Sequence, residues 1–130
     1  MKEVKNALLV FAVAFVLNLI WEKLHMRLYD IAAIPMDPIA ILLRATFWDA
    51  VMITGVYLFL DTRSKTKRYI LSAFICLGMA IFIEQRALVE GRWEYLSTMP
   101  IVLGMGLSPL IQLPLLEVAT YEIVRKRQKS

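Results

Sequence analysis

The chain is 130 residues long, 59% of its residues are hydrophobic, and its formal net charge is +4. This length allows one domain, and this hydrophobic content indicates an integral membrane protein rather than a soluble one. The single cysteine, Cys76, excludes an intrachain disulfide and a thiolate metal cage. We therefore expect residues 1–130 to form a single transmembrane domain.

Most basic residues lie at the termini and in one loop. Lys2 and Lys5 precede the first apolar block, a basic run occupies residues 61–68, and another occupies residues 125–129. Lys and Arg clusters that flank apolar blocks indicate topology, because such segments stay in the cytoplasm. The pattern predicts cytoplasmic N and C termini and no nucleic-acid binding. The membrane that we expect for the chain is a prokaryotic cytoplasmic membrane.

Four apolar blocks are each long enough to cross about 30 Å of hydrocarbon as a helix. They cover residues 6–24, 38–60, 69–87 and 99–122 approximately. Pro38 and Pro100 suit the first turn of a helix, where the missing N–H costs little. We predict an all-α integral membrane four-helix bundle.

The first block ends in a stripe of polar side chains. Asn18, Glu22 and His25 are spaced so that they share one helix face, and this face begins at Phe11 and ends at Tyr29. A carboxylate near the middle of a spanning helix costs about 2.5–3.5 kcal/mol, so it normally faces a partner or a wet cavity. Glu22 is therefore a candidate functional residue.

Polar residues on the other blocks fall at matching depths. Counted at about 1.5 Å per residue from the cytoplasmic helix ends, Glu22, Arg44 and Glu84 lie in the outer third. Asp49 and Gln112 lie near the midplane. Three carboxyls then share one guanidinium, so desolvation and repulsion keep at least one of them neutral. Such an acid suits acid/base catalysis, and the alternative is a salt-bridge network that only holds the bundle together.

The fourth block contains Pro109 and Pro114, each of which removes an intrahelical donor, so we expect a kinked helix. Gly104, Ser108 and Gln112 would share one face of it. Exposed carbonyls beside such a face line binding cavities in membrane proteins, whereas small residues alone serve close helix packing. Ser108 and Gln112 are candidate substrate-binding residues, and both interpretations stay open.

Glu22 and His25 also have the i, i+3 spacing that supplies ligands in di-iron helix bundles. Those sites use two such pairs, and His25 is the one histidine of the sequence. We therefore predict a site without a metal and without another cofactor. Glu117, on the last block, is expected to pair with nearby basic residues.

The run Phe-Val-Leu-Asn-Leu-Ile-Trp-Glu at 15–22 resembles the Asn-x-x-Trp-Glu signature of membrane-embedded terpene cyclases of the fungal meroterpenoid and indole-diterpene type. In that family, acidic residues within the membrane are thought to protonate an epoxide or olefin and start cyclisation without a metal. The motif carries over to Asn18, Trp21 and Glu22. Asp49 or Glu84 would then supply the second acid.

A second resemblance is to small uncharacterised prokaryotic four-span membrane proteins. The runs 91–95, 99–100 and 106–112 carry it, and it implies no activity.

Tryptophans add to the candidate site, because their aromatic faces suit stabilisation of a carbocation by cation–π attraction. They are Trp21, Trp48 and Trp93. For Trp48, stacking on Arg44, four residues earlier, is the plainer role.

We predict an intramembrane enzyme that applies carboxyl acid/base chemistry to an apolar lipid or isoprenoid, as a cyclase or isomerase does. Glu22 is the proton donor, Asp49 or Glu84 is the base, and Arg44 and Gln112 orient groups. One alternative is a small proton- or cation-coupled transporter, in which the same acids bind and release cations. Another is a non-catalytic subunit of a larger membrane complex. Whether the chain forms a homo-oligomer stays open.

Overall fold

The computed structural model describes residues 2–30, 35–60, 65–91 and 94–129. Within these ranges the chain contains four α-helices that are long and apolar enough to cross a membrane. They are α1 (Lys2–His25), α2 (Pro38–Phe59), α3 (Lys65–Val89) and α4 (Leu107–Lys129). The predicted all-α architecture with four helices is confirmed.

A short ladder ties the exit of α1 to the segment that follows α3. A 3-10 turn (Met26–Leu28) leads from α1 into β1 (Tyr29–Asp30), which pairs antiparallel with β2 (Glu94–Tyr95). Tyr29 thereby lies opposite Tyr95. This pairing brings two aromatic side chains, distant in sequence, to the same end of the bundle.

A hairpin precedes α4 and changes where the fourth span begins. β3 (Ile101–Val102) and β4 (Met105–Gly106) pair antiparallel, and the turn between them places Leu103 and Gly104 at φ of 53° and 81°. Such left-handed backbone is incompatible with a continuing right-handed helix, and glycine adopts it without a Cβ clash. The fourth helix therefore begins at Leu107, and the predicted start near residue 99 is wrong.

The two prolines of α4 have different roles. Pro109 lies in the first turn, where the N–H has no intrahelical partner, so the prediction that it opens the helix is wrong. Pro114 lies inside α4, which continues beyond it to Lys129. The sequence predicted that Gly104 shares a helix face with Ser108. This prediction is wrong, because Gly104 lies in the hairpin turn before α4.

The helices pack unevenly. α1 packs along α2 and α4, and α3 packs along α4, whereas α2 and α3 touch only lightly. Small buried residues on α1 and α2, Ala14 and Ala50, let these helices approach closely. Three sides of the bundle are thus closed, and the side between α2 and α3 is open.

An apolar groove of about 400 Å³ occupies this open side. Its lining residues come from α2 and α3 and are Met52, Gly78, Met79, Phe82 and Ile83. Gly78 contributes no side chain, and no atom lies within 4 Å of the place where its Cβ would be. The groove is therefore an apolar opening on the α2–α3 side of the bundle.

Candidate functional site

The inner face of α1 delivers two polar side chains to the bundle interior. Every fourth residue from Val10 is buried, in the order Val10, Ala14, Asn18 and Glu22. The amide of Asn18 donates from Nδ2 to the carbonyl of Ala14 at 2.7 Å, which turns its Oδ1 away from its own helix. The predicted polar stripe on α1 therefore points inward.

Gln112 on α4 is the centre of the site. Its Nε2 lies 3.0 Å from Asn18 Oδ1, 2.8 Å from Glu22 Oε1 and 2.7 Å from Asp49 Oδ2. A side-chain amide nitrogen carries only two hydrogens, so it cannot donate to all three oxygens at once. Because buried polar groups are normally satisfied, one of these oxygens needs a hydrogen from another source.

The carboxyls of Glu22 and Asp49 both approach the same nitrogen, Gln112 Nε2, so a proton on either carboxyl would supply that hydrogen. Two carboxylates can only accept hydrogen bonds, so a bond between them requires a proton on one. Glu22 is 8% exposed, and Asp49 is half-buried on α2. The structure therefore brings two carboxyls to one amide nitrogen, where one proton on the pair would complete the hydrogen bonding.

The third predicted carboxyl, Glu84 on α3, has a different environment. It is 3% exposed, Tyr29 Oη donates to its Oε1 at 3.4 Å, and Tyr95 Oη donates to its Oε2. Burial, followed by the nearby Glu84 charge, raises the pKa of Tyr29, so this phenol keeps its proton and acts as a donor. Glu84 is held as a hydrogen-bond acceptor at the edge of the site.

A glycine lets one of these phenols reach Glu84. A Cβ at Gly106 would lie 3.0 Å from Cε1 of Tyr95 and 3.0 Å from Sδ of Met99. Because real Cβ contacts are rarely so short, a larger residue would push the Tyr95 ring aside. Tyr95 is a site residue that the sequence did not reveal, since a two-residue strand leaves no periodic signal.

His25 lies between the carboxyl pair and the tyrosines. Its Nε2 is 4.0 Å from Glu22 Oε2, and its ring centroid is 5.0 Å from that of Tyr29. Its Nδ1 is buried and has no hydrogen-bond partner among the described residues. Within the same residues, no group of three His, Cys, Asp or Glu side chains is placed to hold a metal ion.

Several predicted site residues do not join this cluster. Arg44 and Trp48 lie on the exposed face of α2, so the prediction that Arg44 neutralises the carboxyls is wrong. Trp21 packs against the hydrophobic core, and its Nε1 has no partner in the part of the chain that the structure describes. Ser108 is half-buried in the first turn of α4, and Trp93 lies outside the described residues.

Replacing Arg44 by leucine is expected to change the free energy of unfolding by less than about 0.5 kcal/mol, as exposed substitutions usually do. The side chain is exposed, so its loss removes no buried partner of the carboxyls. Thermal melting of the detergent-solubilised protein measures the change. A large loss of stability would instead place Arg44 among the buried acids.

A carboxyl pair with one proton can give that proton to a bound molecule and accept another in return. In comparisons with known proteins, no family model matches the chain, and no curated protein or solved structure shows significant similarity to it. A function for the chain accordingly rests on the chemistry of Glu22, Asp49 and Gln112.

Proposed function

We propose that the chain is an intramembrane enzyme that applies acid/base chemistry to an apolar lipid or isoprenoid, in a cyclisation or isomerisation. The observation that carries this proposal is that the carboxyls of Glu22 and Asp49 meet at Nε2 of Gln112 in the bundle interior. Apolar surroundings keep a carboxylic acid protonated near neutral pH, so it holds a proton that it can give to a bound substrate. Glu84 already accepts two phenolic hydrogen bonds, so Asp49 is the better candidate for the base.

The reaction balances within the carboxyl pair. Glu22 gives its proton to a double bond or epoxide of the substrate, and a carbocation forms. Asp49, as the carboxylate, then removes a proton from a neighbouring carbon, and the electrons of that C–H bond close the new double bond. The pair ends with one proton, now on Asp49, and passing it back to Glu22 restores the starting state.

The open side of the bundle supports entry of such a substrate from the membrane. Met52 lines the groove one helical turn after Asp49 on α2, and Ile83 lines it next to Glu84 on α3. A volume of about 400 Å³ is within the range of small-molecule sites, and an apolar lining suits a hydrocarbon chain. An isoprenoid tail in this groove would bring a double bond toward the carboxyl pair.

The proposal is tested by comparing lipid extracts of cells that make the wild-type chain, the Glu22→Gln variant or neither. We expect an isoprenoid lipid to appear or disappear with the wild-type chain alone. Identical lipids in all three, together with proton flux in vesicles that contain the wild-type chain, would contradict the enzyme and favour a proton-coupled transporter.

We also propose that the bundle lies in a prokaryotic cytoplasmic membrane with both termini in the cytoplasm, as the basic termini and the run at 61–68 indicate. A cysteine in place of exposed Ser97 should react with a membrane-impermeant maleimide added outside intact cells. A cysteine in place of Ser64, within the basic run, should react only after the cells are opened. Both variants are made with Cys76 replaced by serine, and the opposite labelling would reverse the orientation.

A further inference from the structure

Another buried carboxyl lies on α4, about 7.5 Å along the helix axis from Gln112 and outside the Glu22–Asp49 pair. Glu117 on α4 has no exposed surface, and neither of its carboxyl oxygens has a hydrogen-bond partner among the described residues. The prediction that it pairs with a basic residue is wrong. An isolated ionised carboxylate in such surroundings is very costly, so this carboxyl must be neutral or matched by a cation.

The neighbouring cation, Arg68 on α3, is engaged elsewhere. Its Nη2 donates to the carbonyls of Tyr57 at 3.1 Å and Leu60 at 3.3 Å, at the end of α2. Its guanidinium carbon also lies 4.6 Å from the centre of the Tyr57 ring. The C-terminal end of a helix carries partial negative charge, so α2 already stabilises the Arg68 charge. Arg68 therefore donates to the end of α2 through Nη2, and its buried Nε has no hydrogen-bond partner among the described residues.

Other groups around Glu117 are neutral. Ser72 and Thr120 donate their hydroxyl hydrogens to the carbonyls of Arg68 and Leu116, each at 2.6 Å. Tyr121, which follows Glu117 by one helical turn, has a buried Oη with no partner in the described ranges.

Among the described residues, the other groups that the structure places in this cluster are also uncharged. The thiol of Cys76 is buried on α3, and Tyr57 comes from α2. α1 contributes the apolar Val10 and Ala14 to the core cluster that includes Tyr121. Among the described residues, Glu117 is thus near one cation, Arg68, which already donates to the end of α2. The other groups near it are neutral.

We propose that Glu117 is a second proton-binding site, which holds a proton taken from water at the Arg68 end of the bundle. Oε1 or Oε2 accepts this proton and becomes a neutral acid, and Tyr121 Oη is within the same cluster to receive or give a hydrogen bond. Gln112 lies five residues earlier on α4, about 7.5 Å along the helix axis. The site is therefore separate from the carboxyl pair, whatever molecule that pair acts on.

The test uses dicyclohexylcarbodiimide, an apolar reagent that adds to protonated carboxyls while the acid proton moves to its nitrogen. The full chain is treated in detergent at neutral pH, and labelled fragments are identified by mass spectrometry. We expect at least about tenfold more label on Glu117 than on exposed Glu94, because an exposed glutamate is protonated well under 1% of the time at pH 7. Label on Glu22 or Asp49, read in the same sample, reports on the carboxyl pair separately.

The Glu117→Gln variant gives an independent readout, because an amide has nearly the shape of a protonated carboxyl. We expect it to lose the label on this fragment and to melt at the wild-type temperature. Three results would overturn the proposal: labelling of Glu117 as weak as that of Glu94, a strong loss of stability in Glu117→Gln, or protection of Glu117 by sodium ions. Each would show an ionised carboxylate with a cationic partner.

Discussion

Replacing Glu22 by glutamine is expected to lower lipid conversion at least about 100-fold, the lower end of what a general acid contributes. The amide keeps the shape of the side chain and its place beside Gln112, but it has no acidic proton to give. Conversion is measured with purified protein in vesicles made from the host lipid extract. Abundance and melting temperature should stay near those of the wild type, because the amide has nearly the shape of the protonated acid and leaves no cavity.

The matched control is Glu94→Gln, the same change at an exposed position of β2. It should leave conversion unchanged. Asp49→Asn should cost about as much as Glu22→Gln, and the double variant little more, because residues that act as a unit are not additive. Full activity in Glu22→Gln would show that the polar residues of α1 serve only helix packing.

His25 separates two further interpretations of the same stripe. On the metal-free mechanism, His25→Gln has a milder effect than Glu22→Gln, since His25 only adjusts Glu22 from 4.0 Å away. Joint loss of activity in both variants, with metal bound to the purified wild-type protein, would make Glu22 and His25 metal ligands instead.

Replacing Gln112 by methionine is expected to have the largest effect on stability. The volume is nearly conserved, so the loss comes from the oxygens of Asn18, Glu22 and Asp49, which lose a donor. Each buried group left unsatisfied costs about 1–3 kcal/mol, so the total should be about 3 kcal/mol or more. Thermal melting in detergent measures it.

The control for Gln112 is its neighbour Ile111, which is 41% exposed on the outer side of α4. Ile111→Met introduces the same side chain without touching the polar cluster and should melt like the wild type. Equal melting of Gln112→Met and the wild type would mean that Gln112 does not hold the three helices together.

The sequence predicted the helices and part of the site for a physical reason. Apolar blocks of spanning length set the depth of each residue, and depth alone brought Glu22, Asp49 and Gln112 into neighbouring layers. Depth does not give direction around a helix. Arg44 precedes Asp49 by five residues, which turns it by about 140° to the other face of α2.

The structure at the end of the bundle where α4 begins was harder to predict. Pro100 suits a helix start, but the reversal at Gly104 lies between it and α4, and a single turn glycine is a weak signal against a long apolar block. The contact of Tyr95 with Glu84 depends on that same reversal, because Gly106 makes room for the ring.

The most direct test of the proposed chemistry is the transfer of a solvent proton to carbon. Wild-type protein is incubated in heavy water in vesicles of the host lipid extract, where the shared proton of Glu22 and Asp49 exchanges for deuterium, and the lipids are analysed by mass spectrometry. The mechanism predicts an isoprenoid product that carries deuterium on carbon with the wild-type chain, and no product with Glu22→Gln. Unchanged lipids, or a product without deuterium, would contradict it.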